Sequence, residues 1–110
     1  MSERAIPVLR VDDADRAVAW YERLGFTKTD EHRFEPGLPA FVTVDRGEIR
    51  LFLSEHEGDA RPDTLVYVFV DDVDAIAAEF GVEPEEQPWA REIELRDPDD
   101  NRLRIGTRHG

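Results

Sequence analysis

At 110 residues the chain can bury roughly two-thirds of its unfolded surface, and with no cysteine it has neither disulfides nor thiolate metal sites. Its 26 acidic residues against 14 basic ones leave a net charge of −12, which argues against nucleic acid, because phosphate binding needs a basic patch. The start lacks a basic segment followed by an apolar run, and no apolar stretch approaches the ~20 residues of a membrane helix. The expectation is therefore a soluble, cytoplasmic, acidic protein with no membrane partner. The acidic excess has two readings: it attracts a cationic ligand towards a cleft, or it maintains solubility in a salt-adapted host.

In chain order, residues 1–4 form a loose start and the first strand begins near Ala5. Pro7 inside it removes a ladder donor, so this strand lies at a sheet edge or crosses to another chain. Asp13 can cap a helix predicted over Ala14 to Leu24, where Ala14, Ala17, Val18, Tyr21 and Leu24 recur at helical spacing, and Gly25 closes it. Trp20 falls off this stripe and is a candidate subunit contact. Phe26 to Phe34 is the next predicted strand, ending at Pro36-Gly37. Two more strands, Ala40 to Val44 and Glu48 to Leu53, flank the short loop Asp45-Arg46-Gly47. In the second of these, Ile49, Leu51 and Leu53 share one face and Arg50 and Phe52 the other.

Ser54 to Asp63 is a polar linker. Leu65 to Phe80 then reads as a strand running into a helix, followed by the acidic, proline-punctuated loop Gly81 to Pro88. Strands over Ala90 to Arg96 and Arg102 to Thr107 are joined by Asp97-Pro98-Asp99-Asp100-Asn101, rich in residues that bond their own backbone. The tail Arg108-His109-Gly110 carries no signal.

Val11-Asp12-Asp13-Ala14-Asp15 returns about half a chain later as Val70-Asp71-Asp72-Val73-Asp74. A repeat of this kind groups the elements: one domain over residues 1–110, built from two βαβββ-like modules at about 5–54 and 64–107, the second missing or shortening one strand. The fold class is α+β, two curved mixed sheets, each with a helix on its convex side, around a concave cleft in which a ligand would lie.

Little in the chain points to catalysis or metal binding. His32, His56 and His109 lie in a polar strand, a linker and a tail. None has a ligand partner at chelating spacing on a firm element except His56, beside Glu55 and Glu57, and loose surface histidines are the simpler reading. Ser2 and Ser54 lack a base at motif spacing, and there is no glycine-rich phosphate loop. No catalytic residue, metal ligand or cofactor is expected. Trp89 is either a stacking platform or a plug at the end of the core. Phe41, Phe52, Tyr67 and Phe69, at alternating strand positions, line the concave face or belong to the core.

The run Ile6-Pro7-Val8-Leu9-Arg10-Val11 through Trp20-Tyr21-Glu22-Arg23-Leu24-Gly25-Phe26, with Glu86-Gln87-Pro88-Trp89-Ala90-Arg91-Glu92 and Leu95-Arg96-Asp97-Pro98-Asp99, resembles a bleomycin resistance protein of the glyoxalase I / vicinal oxygen chelate superfamily over nearly the whole chain. That resemblance implies the glyoxalase/bleomycin resistance fold. The places where the superfamily's enzymes carry metal ligands match Ile6, Arg50, Leu65 and Arg104, none of which can coordinate a divalent cation. By the same resemblance the protein is a metal-free homodimer that exchanges its N-terminal strand at Pro7 and captures an aromatic, cationic antibiotic stoichiometrically, conferring resistance without turnover. The drug's rings would lie between Phe41 and Trp89 in clefts between subunits, with Arg50, Phe52, Tyr67 and Arg104 completing the ligand-binding set. The alternative is a metal-dependent vicinal oxygen chelate lyase, isomerase or dioxygenase. Two departures stand out: the loop before Trp89 is shorter than in the drug binders, and Arg50 and Arg104 put positive charge where a cationic drug approaches. Glu92 or Glu94 would neutralise them, depending on hairpin register; otherwise an anionic or neutral ligand suits the arginines better.

Overall fold

Alternation with period two sorts the strand residues of this chain onto two faces, and each sheet covers its apolar face with one helix. A computed structural model describes residues 3–109; Met1 and Ser2 of the expected loose start, and Gly110, lie outside the described residues. The first module comprises β1 (Val8–Arg10), α1 (Ala14–Arg23), β2 (Thr27–Arg33), β3 (Ala40–Arg46) and β4 (Ile49–Ser54). The second comprises β5 (Leu65–Phe69), α2 (Val73–Phe80), β6 (Glu85–Glu86), β7 (Ala90–Arg96) and β8 (Arg102–Arg108). Their sheets have the orders β1-β4-β3-β2 and β5-β8-β7-β6. In each, the first strand runs parallel to the last and the other pairs are antiparallel.

Val42, Val44, Leu51 and Leu53 are buried against Ala14, Ala17 and Tyr21 of α1, and Ile93, Leu95, Leu103 and Ile105 face Val73, Ile76 and Ala77 of α2. Each fully buried Val, Leu or Ile contributes about 1.5–3 kcal/mol. Asp13 and Asp72 cap the two helices by accepting backbone N–H groups. The first helical amide is also satisfied in both modules, though by different residues: Ala14 N donates to Glu55 Oε2 at 2.7 Å, and Val73 N to Thr107 Oγ1 at 2.8 Å. Gly25 follows α1 with φ +92°, and a side chain there would meet the Arg46 guanidinium, which donates to Leu24 O.

Several expectations need correction. Pro7 precedes β1 rather than lying inside it; it contributes only its carbonyl, which accepts from Phe52 N at 3.0 Å. The Gly81 to Pro88 loop contains the short strand β6, paired with Arg91 and Glu92. The β3–β4 turn is tighter than expected, with Arg46 opposite Ile49 across Gly47 and Glu48. Trp20 is half-buried, edge-on to Tyr21 and Phe80 with ring centroids 4.9 and 5.3 Å away, so it joins the two helices of one chain. His109, in the tail read as empty, is bonded to the loop before β7.

The two modules are held together by a buried polar hub at the β7–β8 turn. Asp97, 4% exposed, accepts the Tyr21 hydroxyl at 2.8 Å and the Asn101 amide group at 3.0 Å on Oδ2, while Oδ1 accepts the backbone N–H groups of Asp99 and Asn101. Asn101, fully buried, also donates to Arg10 O at 2.9 Å and accepts from Thr64 N. Asp99 Oδ1 accepts from Asp12 N at 3.0 Å, but its Oδ2 is buried without a partner, and burial pushes this carboxyl up from its ordinary pKa. Burial, reinforced by the Asp97 carboxylate, keeps the Tyr21 phenol protonated.

Outside this hub and the contacts between the helices the modules spread apart. The extents are 47 × 35 × 22 Å, and the radius of gyration, 14.4 Å, exceeds the roughly 13 Å of a compact domain of about this size. The hub yields the first prediction. Tyr21→Phe removes a donor from a buried carboxylate and should cost about 1.5–3 kcal/mol in urea denaturation. A loss below about 0.5 kcal/mol, the range of an ordinary surface change, would show that the hub does not join the modules.

Candidate functional site

The register of sheet two decides which side chains share its helix-free face. Tyr67 and Glu94 both pair with Arg104, and Phe69 and Glu92 both pair with Gly106, so all six positions lie on one side. Trp89, just before β7, is 55% exposed beside them and so does not plug the core. A groove of about 580 Å³ runs between the Val82 to Gln87 wall and Trp89, Glu92, Glu94 and Arg104. Its wall is held by β6 and by Gln87, whose N–H donates to Ala90 O at 2.8 Å and whose carbonyl is 2.9 Å from His109 Nε2.

The same register settles the arginine charges. Glu94 accepts from Arg102 Nε at 3.1 Å and from Arg104 Nη2 at 3.1 Å, and these two guanidiniums hold its carboxyl below the usual range. Arg50 donates to both oxygens of Asp45, at 2.8 and 2.9 Å, which lowers the Asp45 pKa and raises that of Arg50. Each arginine is committed to a carboxylate in bidentate or shared fashion. Four carboxylates, those of Glu83, Glu85, Glu92 and Glu94, line the groove against the single guanidinium of Arg104.

The residues singled out from sequence are distributed over both sheets. Trp89 and Arg104 line the groove, and Tyr67 joins it by donating its hydroxyl to Glu92 Oε2 at 2.6 Å. Phe41 and Phe52 pair with each other on the helix-free face of sheet one, 5.0 Å between centroids, beside Arg50. One chain therefore does not bring Phe41 to the Trp89 groove. Tyr67 and Phe69 form a matching pair at 4.9 Å on sheet two, with the Arg108 guanidinium 4.4 Å from the Phe69 ring. Sequence reading missed Glu92 as a partner of Tyr67. The β7–β8 register that aligns them carries no motif of its own.

The superfamily's metal does not fit the residues at the matched positions. Ile6 and Leu65 have no lone pair, and Arg50 and Arg104 are cations already paired to carboxylates. Among the described residues no three of His, Cys, Asp or Glu converge on a metal site. The carboxylate of Glu55, next to His56, is engaged by Ala14 N and Ala40 N.

Gly106 makes room for this arrangement. A Cβ there would lie 2.5 Å from the Tyr67 hydroxyl and 3.3 Å from the Ala90 Cβ, so only glycine lets the phenol reach across β8 to Glu92. Burial, then the Glu92 carboxylate, raise the Tyr67 pKa above its ordinary value. Gly106→Ala should displace the phenol and return it towards that value. The chain has two tyrosines, and the other, Tyr21, is buried. An ultraviolet titration upward from about pH 10, the ordinary phenol pKa, should thus show a tyrosine ionising at lower pH in the variant than in the parent. Identical titrations would remove the claim that Gly106 seats Tyr67.

Comparison with known proteins places this geometry. A family profile described as glyoxalase superfamily protein matches residues 1–110. No curated protein matches the chain. Among solved structures, a bleomycin-binding protein complexed with bleomycin aligns with TM-score 0.75 at 25% identity, over 98% of this chain and 100% of that one. A bleomycin resistance determinant encoded on the transposon Tn5 aligns with TM-score 0.77 at 25% identity, over 99% and 100%. An antibiotic-binding protein from a Streptomyces species shares the fold, with TM-score 0.74 at 20% identity over 99% of each chain. The chain belongs to the glyoxalase superfamily and has the fold of its bleomycin-binding members.

Proposed function

We propose that this protein is a metal-free, cytoplasmic binding protein that captures a flat, cationic small molecule of the bleomycin type, stoichiometrically and as a homodimer. The observation that carries the reading is the groove in which a half-exposed Trp89 stands among four carboxylates and one guanidinium that is already paired. An indole face offers stacking to an aromatic system, and the carboxylates favour positive charge on it. The structural neighbours support the ligand class, since one of them is complexed with bleomycin and another is a bleomycin resistance determinant.

The dimer is supported by what the helix-free faces leave uncovered. Leu65, Tyr67 and Phe69 of β5 are 36–44% exposed in a row, Phe34 is 81% exposed and Leu38 42%. Large apolar side chains left exposed on such faces mark surfaces that a partner can cover. A second copy would cover it and bring Phe41 of one chain towards Trp89 of the other, completing the sandwich that a single chain leaves open. Pro7, at the entry to the edge strand β1, is where a strand exchange would begin. On this reading residues 1–110 act as one domain in which both modules contribute to the site.

Three measurements test the proposal. Titration with bleomycin should quench Trp89 emission at about one ligand per chain. Trp89→Ala should abolish the quench and weaken binding by about tenfold or more, as loss of a stacking platform does. Neither quench nor heat on titration would end the antibiotic reading. In sedimentation, the protein should run as a dimer at micromolar concentration, and elemental analysis should find no stoichiometric transition metal. A monomer, or a bound metal, would contradict the corresponding part.

A further inference from the structure

Glu92 stands apart from the other groove carboxylates. It is only 9% exposed, and a carboxylate withdrawn so far from water needs hydrogen bonds to stay charged. Among the described residues it receives one, from the Tyr67 hydroxyl to Oε2 at 2.6 Å. Its other oxygen, Oε1, has no donor among them and is on a side chain that lines the groove. The arginines of β8 on this face are engaged elsewhere: Arg102 and Arg104 are shared by Glu94, and the Arg108 guanidinium lies over the Phe69 ring. Glu83 and Glu85 on the facing wall add negative charge. The Tyr67 hydroxyl holds Glu92 Oε2, and Trp89 and Glu92 line the same groove, so the carboxylate sits beside the stacking surface.

We propose that Glu92 is the charge-recognition point of this groove, and that the ligand carries a protonated nitrogen on the rim of a flat aromatic system. This rests on the reading of the groove as a ligand site and narrows it. The ring stacks on Trp89 while its N–H group donates to Glu92 Oε1, supplying the bond that the fold leaves out. A neutral ring of the same shape leaves that oxygen bare and loses the charge-assisted bond. Glu94 does not substitute for it, because both of its oxygens are occupied by guanidiniums.

The test compares two planar probes of one ring system at pH 7.5: proflavine, which is protonated, and acridine, which is neutral. The parent protein should bind proflavine at least about tenfold more tightly than acridine, the scale of one charge-assisted hydrogen bond. Glu92→Gln keeps an acceptor for Tyr67, so acridine affinity should stay within about twofold while the preference for proflavine disappears. Tyr67→Phe keeps the carboxylate and should retain a preference. Glu85→Gln, which alters the general field only, should change the ratio less than about threefold. Equal affinity for the two probes in the parent overturns the proposal without any variant. So does a ratio that survives Glu92→Gln, an equal loss for both probes, or an equal effect of Glu85→Gln. Binding of neither probe, with no response to Trp89→Ala, overturns the ligand-site reading as well.

Discussion

The structure depends on one buried carboxylate. Asp97 accepts four hydrogen bonds, from the Tyr21 hydroxyl, the Asn101 side chain and two backbone amides of its own turn. An ionised group removed from water is tolerated only when its lone pairs are filled in this way. Because one of its donors belongs to α1 and another reaches on to the carbonyl of Arg10, satisfying Asp97 also fixes how the second sheet meets the first module. Apolar packing alone would not do this. The large hydrophobic faces of both sheets are spent on their own helices, and what remains between the modules is the hub and the Trp20, Phe80 and Arg23 contact. A polar junction of this kind specifies one angle between the sheets, and the angle sets the shape of the surface they share.

Much of this was legible in the sequence because the signals were local and periodic. The duplicated Val-Asp-Asp segments mark two strand-to-helix junctions, and the structure places a capping aspartate at each. The alternation in Ile49 to Leu53 separates buried Leu51 and Leu53 from half-exposed Arg50 and Phe52, as the pattern requires. The hub was not legible. Asp97 and Asn101 lie in a run of turn-forming residues, and a turn explains them fully until Tyr21, far away in sequence, is seen to point at them. Trp20 was misread for a similar reason: it lies off the α1 stripe, but the neighbour that buries it, Phe80, sits on the other helix. Strand β6 has two residues, too few for any period to show.

The arginines illustrate how register converts composition into chemistry. From sequence, Arg50 and Arg104 could have made the concave surface attractive to anions. Pairing Asp45 with Arg50 and Glu94 with Arg104 across antiparallel strands puts opposite charges on one face at hydrogen-bonding distance. A slip of one residue in either hairpin would have moved the acids to the helix side and left the cations exposed. With the arginines engaged, the negative charge of the chain is felt most where carboxylates lack partners.

The two modules share one strand order, and the second differs at the strand after its helix. In the first module the strand after the helix is seven residues long and its edge is crowded with charge; in the second it shrinks to Glu85–Glu86. Shortening that strand exposes the outer end of β7, opening room beside Trp89 for the wall that His109 and Gln87 hold. Gly106 then frees the space above β8 that the Tyr67 phenol crosses. The corresponding face of the first module carries the Phe41 and Phe52 pair, which matches Tyr67 and Phe69 on the second, beside the Asp45–Arg50 ion pair. The two helix-free faces of one chain thus differ: sheet two adds a recess in which Glu92 keeps one oxygen without a donor among the described residues, and sheet one presents Phe41 and Phe52. In the proposed dimer, a twofold axis would set the recess of each copy towards the Phe41–Phe52 face of the other.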